Sequence, residues 1–377
     1  MRPSRALLSR VGRQVAAISL LLWAAAACLS TSKYVIDDDA HGGLAGAGPL
    51  DNEVVLKVDP RELERLVNAF DAHDEECRAA FKNNCGKDAL PRCAASPGCV
   101  SFAECVRERA NPAAETTCSD DLGTSVDDSW AFEFARHCWA ERYAECNIGR
   151  NFACVGDYGP PSAERTDVIV SQQVLGLQAP EEGASELSVA FCPGPVDCSE
   201  PIAVATPRPS DRTYTVSLAV TGKNDGIGNV WNGYRLVAGA DIYPSIVDSS
   251  LPLWGRRTEI TRILERNVID LLARTSTGDA RDAAFVQVVD CQSDPAPGIF
   301  VDVPGATVGY VDSGLQAVDP PTRATGAVGI SGYTPDEIHK IVATIEGPEG
   351  RTVARYSRFL QRGRHHYLRL YPLMAGH

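Results

Sequence analysis

Cysteine is the residue type that occurs here at a density capable of chemistry. Nine of the thirteen, Cys77, Cys85, Cys93, Cys99, Cys105, Cys118, Cys138, Cys146 and Cys154, form one ladder, with Cys28, Cys192, Cys198 and Cys291 outside it. Structural zinc favours short C-x2-C or C-x4-C knuckles, whereas the ladder spacings are x7, x7, x5, x5, x12, x19, x7 and x7. No C-x-x-C or C-x-x-C-H occurs, so a thioredoxin-type redox site and c-type haem attachment both lack their signature. Disulfides remain, and they fit an exported chain. A bridge closing loops of this length is worth about 2–3 kcal/mol. The simplest pairing joins Cys192 to Cys198 across Pro193-Gly194-Pro195 and sends the one ladder cysteine left over to Cys291. Spacing fixes no further connectivity.

Other catalytic patterns are missing from the sequence. H-E-x-x-H does not occur, and His41, His73, His137, His339, His365, His366 and His377 form no ligand pattern with nearby glutamates. His365 and His366 are adjacent in an apparent strand, so their imidazoles point to opposite faces and do not chelate together; an edge or solvent-facing role is expected. There is no G-x-S-x-G elbow, no G-x-x-x-x-G-K-[ST] and no G-x-G-x-x-G after a strand. Asp312-Ser313-Gly314 reads as a hairpin turn, because a second aspartic-protease triplet is absent. Lys223-Asn224-Asp225-Gly226 reads as a tight turn and lacks the spaced ligands of a calcium loop. No catalytic residue, metal site or cofactor is assigned.

The elements that position these residues begin with an export signal. Met1 to Arg13 carries four arginines and no acid, and the apolar run Val15 to Ala27 is too short to span a bilayer as a mature helix. The ending Ala25-Ala26-Ala27-Cys28 resembles a bacterial lipobox, which implies acylation of Cys28 and a membrane anchor through it. Plain cleavage after an A-x-A site, with Cys28 incidental, is the other reading. Residues 28–56 then form a polar, glycine-containing tether.

Residues 57–158 read as a mostly helical module. Asp59-Pro60-Arg61-Glu62 has the cap, first-position proline and capping-box glutamate of a helix start. Leu63, Leu66, Val67 and Phe70 then make one buried stripe. After Tyr158-Gly-Pro-Pro161 the texture changes to short β-branched runs between turn residues, the signature of a β-sandwich over 162–254. Ile260, Ile263, Leu264, Val268, Leu271 and Leu272 fall at helical spacing, so a connecting helix is expected within 255–280. A second sandwich follows over 281–374, with Phe285–Val289, Ile299–Val303, Thr307–Val311, Ala327–Ile330, Ile341–Ile345, Val353–Tyr356 and Tyr367–Leu370 as its strands. The fold class is therefore α+β multidomain: a disulfide-rich helical module followed by two Greek-key β-sandwich domains.

The residues around Asp290-Cys291, Pro295–Gly298, Thr307–Tyr310, Thr325–Ile330 and Tyr367–Pro372 resemble carboxypeptidase regulatory-like domains. That resemblance implies a transthyretin-like β-sandwich, a fold appended to enzymes, receptors and surface proteins and not itself catalytic. Taken whole, with the junction Cys146 to Tyr158, the chain resembles myxobacterial-type predicted lipoproteins that pair a Cys-rich helical module with such sandwiches.

Charge narrows the partners. The net charge is −13, and −17 once the four N-terminal arginines are removed with the signal, which opposes non-specific nucleic-acid binding. After Glu349 no acid occurs, while Arg351, Arg355, Arg358, Arg362, Arg364 and Arg369 do. With Tyr356 and Tyr367 interleaved, Arg355, Arg358, Arg362, Arg364 and Arg369 make a possible binding face for an acidic glycan, lipopolysaccharide or an envelope protein. Arginines on edge strands also discourage edge-to-edge pairing, which is the alternative reading. The sequence thus points to an exported, lipid-anchored envelope component, at the outer membrane, that binds or builds rather than catalyses. An accessory or targeting subunit of an envelope hydrolase is the alternative.

Overall fold

Asp59 opens the first helix as its sequence implies: the backbone is extended there, the carboxylate accepts from Arg61 N at 2.8 Å, and Pro60 fills the first helical position. The computed structural model describes residues 58–70, 75–86, 89–111, 113–142, 151–155, 167–176, 187–192, 198–208, 212–219, 222–224, 228–230, 233–240, 242–248, 253, 255–263, 266, 282–311, 317–322 and 326–372. The signal, the tether, Cys28 and Cys146 lie outside them, as do Asp225-Gly226 and Asp312-Ser313-Gly314.

Six helices form the N-terminal module among the described residues: α1 Pro60–Ala69, α2 Glu75–Cys85, α3 Ala89–Ala94, α4 Pro97–Arg109, α5 Ala114–Leu122 and α6 Val126–Arg142. Their core is aromatic. Phe81 lies edge-on to Trp139 at 4.7 Å between centroids, and Phe70 and Phe102 meet Phe81 and Phe132 respectively, each at 5.3 Å. Short helices bury little area each, and disulfides join them in pairs: Cys85–Cys138 ties α2 to α6, Cys93–Cys99 ties α3 to α4, and Cys105–Cys118 ties α4 to α5. Cys77 is disulfide-bonded as well.

Seventeen strands follow among the described residues: β1 Asp167–Gly176, β2 Leu187–Cys192, β3 Ala203–Ala205, β4 Thr213–Ala219, β5 Gly222–Asn224, β6 Gly228–Val230, β7 Tyr234–Gly239, β8 Ile242–Asp248, β9 Arg256–Ile263, β10 Ala284–Val288, β11 Phe300–Asp302, β12 Thr307–Val311, β13 Ala317–Val318, β14 Ala327–Ser331, β15 Glu337–Ile345, β16 Arg351–Leu360 and β17 His365–Leu370. They build two sandwiches with separate cores. In the first, the sheet β4-β1-β9 packs Val168, Val170, Leu218 and Ile263 against Val189, Phe191, Val237 and Val247. In the second, β11-β15-β16 packs Val301, Ile341, Ala343 and Tyr356 against Val286, Val328, Ile330 and Leu368.

The two sandwiches share a sheet. A single nine-stranded sheet runs β13-β12-β14-β10-β17-β8-β7-β2-β3, joined at its centre by parallel pairing of His365–Leu368 with Ser245–Asp248. Side chains alternate across it. Tyr367 therefore enters the first core and Leu368 the second, and the two three-stranded sheets cover opposite faces of the shared one.

The connecting helix expected from Arg256 is instead β9 as far as Ile263. It pairs in parallel with β1, Ile169 opposite Arg256 through Gly176 opposite Ile263. Thr258, Ile260, Thr261 and Ile263 are β-branched and fit a pleated ladder. The helical stripe read from Ile260 and Ile263 was a coincidence of spacing; Leu264, Val268, Leu271 and Leu272 lie outside the described residues. The first sandwich thus continues past residue 254. Cys192 is bonded to Cys198, and Cys154 is the ladder cysteine that reaches Cys291.

Replacing Cys154 and Cys291 together by serine is expected to lower unfolding free energy by about 4–5 kcal/mol, the loop-closure entropy of a cross-link spanning 137 residues. Urea titration of the oxidised protein measures it. A loss below about 1 kcal/mol would show that non-covalent contacts alone set this junction.

Candidate functional site

The densest polar chemistry in the described chain is buried where the helical module meets both sandwiches. β9 is an edge of its sheet, and α5 and α6 cover that edge. The approach is close. Gly255, at φ +55°, precedes β9, and a Cβ there would stand 2.3 Å from Thr116 Cγ2 of α5. Arg256 reaches into the module and donates to Thr124 O at 2.9 Å.

An ion network spans this contact. Arg136 of α6 binds Glu115 of α5 at 2.6 Å and Glu133 one turn before it. Glu115 also accepts from Arg257 of β9 at 3.1 Å, and Arg257 donates to the Tyr371 hydroxyl at 2.7 Å. Two residues along β9, Glu259 receives Arg235 of β7 at 2.7 Å. All six charged residues are buried. Burial alone would push the Glu115 carboxyl up, but Arg257 and Arg136 outweigh it and hold it below the usual carboxylate range. Glu259 is likewise opposed by burial and is brought down to about 2 by Arg235 and Arg257. Glu133 goes the other way: burial, with the Glu115 charge beside it, outweighs Arg136 and raises it.

A second link joins α4 to the loop after β10. Arg107 binds Asp294 at 2.5 Å with both side chains buried, and Gln292 donates to the Arg107 carbonyl at 3.3 Å. Asp290 caps that loop, accepting from Gln292 N at 2.8 Å, Asp294 N at 3.1 Å and Asn151 N at 3.3 Å. Burial, reinforced by the Asp294 charge, pushes the Asp290 carboxyl up to about 7. The Cys154–Cys291 bridge lies in the same loop.

This network holds elements together. The crevice between α5, α6 and β9, lined by Phe102, Glu115, Phe132, Glu133, Arg256 and Thr258, takes no more than about one water. Among the described residues no group of three or more His, Cys, Asp or Glu side chains is placed to hold a metal.

The residues read from the sequence as one basic face are scattered. Tyr367 lies in the first core, and Tyr356 is buried with its hydroxyl on Tyr371 O at 2.9 Å. Arg358 pairs with Asp248 at 2.7 Å and lies over the Tyr356 ring, and Arg369 donates to Ser293 O at 3.3 Å. Arg362 is exposed and paired with Asp336, Arg364 is half-buried, and Arg355 is exposed on the outer face of β16. His365 and His366 do point to opposite faces, but both are buried, because β17 is central in the shared sheet rather than at an edge. His366 Nε2 accepts from Gln361 N at 2.8 Å, and burial lowers its pKa to about 4.

Sequence reading missed the ion network. Its signal was present in Glu133 and Arg136, which alternate with Phe132, Ala135 and Trp139 on one helix, and in Arg235 inside an apolar strand. No family model matches the chain, and no curated protein does. Solved structures that align with it include the shaft pilin SpaA of Lactobacillus rhamnosus GG, at 11% identity over 56% of this chain and 99% of that one, TM-score 0.18. The Bacillus anthracis TIE protein aligns at 10% identity over 55% of this chain and 34% of its own, TM-score 0.17. A streptococcal ancillary pilin aligns at 10% identity over 55% and 69%, TM-score 0.18. At these scores nothing of those proteins' roles carries over.

Two predictions follow from these groups. Arg257→Leu leaves Glu115 short of a partner in a buried site and should cost about 3–5 kcal/mol, with part recovered in the Arg257→Leu, Glu115→Leu double variant. Chemical denaturation followed by far-UV dichroism and tryptophan fluorescence should show both signals moving together. Fluorescence and dichroism transitions at different denaturant concentrations, or a two-step fluorescence transition from Trp130 and Trp139 in the module and Trp231 and Trp254 beyond it, would show the units unfolding apart.

The second concerns pH. His366 titrates near 4 when folded against 6.5 ordinarily, so its contribution is complete above about pH 6.5 and is lost as pH falls toward 4. Asp290 titrates near 7 against 3.8, so its contribution is complete below about pH 3.8 and is lost as pH rises toward 7. Each swing is about 3–4 kcal/mol and the two oppose, which flattens stability between pH 4 and 6.5. Asp290→Asn should give stability that rises with pH over that interval, and His366→Asn stability that falls. Slopes of the same sign in both variants would contradict the assignment.

Proposed function

We propose that this chain is a non-catalytic cell-envelope lipoprotein that works as a binding or structural surface module. The observation carrying this reading is where the polar chemistry goes. Arg257–Glu115 and Arg107–Asp294 are spent on fixing the helical module to the two fused sandwiches, Arg136–Glu133 and Arg235–Glu259 brace one unit each, and the crevice beside Glu115 and Glu133 is water-sized. Buried ion pairs of this kind specify an arrangement between the elements that carry them. The disulfides support an oxidising compartment outside the cytoplasm. No helix among the described residues is long and apolar enough to cross a membrane. Attachment is assigned to an acyl group on Cys28, at the outer membrane.

Intact mass of the protein from native membranes, before and after reduction with alkylation, tests this. The expected result is an acylated Cys28 at the new amino terminus, with twelve sulfurs that alkylate only after reduction. Thiols that alkylate without reduction, or that release a metal, would remove the compartment argument. An unmodified Cys28 would leave a secreted protein without an anchor.

A further inference from the structure

The outward face of β11-β15-β16 carries side chains that the second core does not use. The register sets Ile338 beside Phe359, Lys340 beside Ser357, and Val342 between Asp302 and Arg355. These alternate with the buried Ile341, Ala343, Ala354 and Tyr356, so they stand together on the solvent side. Ile338 is 71% exposed, the most exposed large hydrophobic side chain among the described residues. Lys340 and Arg355 are exposed too, and neither has an ion-pair partner among the described residues. The turn from β16 to β17 brings Arg362 and Arg364 to the Ile338–Phe359 end, where Arg362 is paired with Asp336.

We propose that this face docks an acidic protein surface with a small apolar centre. An apolar pair at one end of the face, followed by Lys340 and Arg355 with Asp302 the carboxylate across Val342, has the apolar and charged elements of a small protein interface. Charge selects among occupants. A second copy placed on the face by two-fold symmetry would set Lys340 and Arg355 against their own kind. The net charge of −17 left after removal of the four signal arginines from −13 opposes approach to an extended anionic bilayer, whereas a compact acidic patch lies within the roughly 8–10 Å over which Lys340 and Arg355 act. β15 and β16 pair over nine residues and β11 adds three, so the face is at most roughly 30 by 14 Å, no more than about half the 800 Å² each partner buries in a stable complex. The contact is therefore a transient one.

This inference rests on the non-catalytic binding reading. The test uses the full oxidised chain and a random Glu/Tyr copolymer as an acidic, partly apolar polypeptide, with polyglutamate and phosphatidylglycerol vesicles as the other arms, read by fluorescence anisotropy and sedimentation. Micromolar binding of the copolymer is expected, with binding of polyglutamate and of vesicles at least tenfold weaker. Lys340→Glu with Arg355→Glu should weaken copolymer binding at least tenfold, and Ile338→Ser should do so severalfold with unchanged dichroism. Equal binding by the charge-reversed protein, or preference for vesicles, overturns the site. Copolymer recovered cleaved would instead overturn the non-catalytic reading itself.

Discussion

Arg257 holds the key position in this protein. Its guanidinium lies on an edge strand of the first sandwich, binds Glu115 of the helical module, and donates to Tyr371 just after the last strand of the second. Removing such a cation from water costs several kcal/mol, which only a full set of partners returns. Arg257 and those two partners come from three units distant in sequence, so Arg257 and Glu115 are paired only where the units meet, while Arg235–Glu259 closes within the first sandwich. The helical module and the two sandwiches are therefore tied by buried contacts, unlike the flexibly linked domains that length alone would suggest.

Covalent and ionic constraints divide the labour. Within the helical module, disulfides join helices too short to bury much area apiece. Between units, the Cys154–Cys291 bridge fixes one strip of backbone, and the Arg107–Asp294 pair fills the space beside it. The shared nine-stranded sheet adds a third constraint, because its parallel β8–β17 pairing makes the first and second sandwiches continuous. Rotation of one against the other would break backbone hydrogen bonds in the middle of a sheet.

This rigidity reaches the outer face of the second sandwich. From Arg257 the contacts run through the Tyr371 hydroxyl, the Tyr371 carbonyl and the Tyr356 hydroxyl to β16, whose far side carries Arg355 and Phe359. A face held in this way presents its backbone without an ordering cost at the moment of contact, leaving only exposed side chains such as Lys340 and Arg355 to be fixed.

Local chemistry was legible in the sequence. The Asp59 cap, the stripe through Leu66 and Phe70, the strands of the second sandwich and the cysteine density each follow from short-range rules of capping, periodicity and redox compartment. Arg256–Ile263 misled, because β-branched residues at mixed spacing satisfy helical and strand templates alike until a neighbouring strand supplies the ladder. The tertiary structure decided which arginines face water. Tyr356 and Tyr367 turned inward, Arg358, Arg364 and Arg369 became half-buried with Arg358 on Asp248, and of the presumed face Arg355 and Arg362 are exposed. Alternation along a strand says that neighbours face opposite ways, but which way is inward depends on what lies above and below the sheet. That is a property of the assembled layers, as is the meeting of Arg257, Glu115 and Arg136 from separate elements.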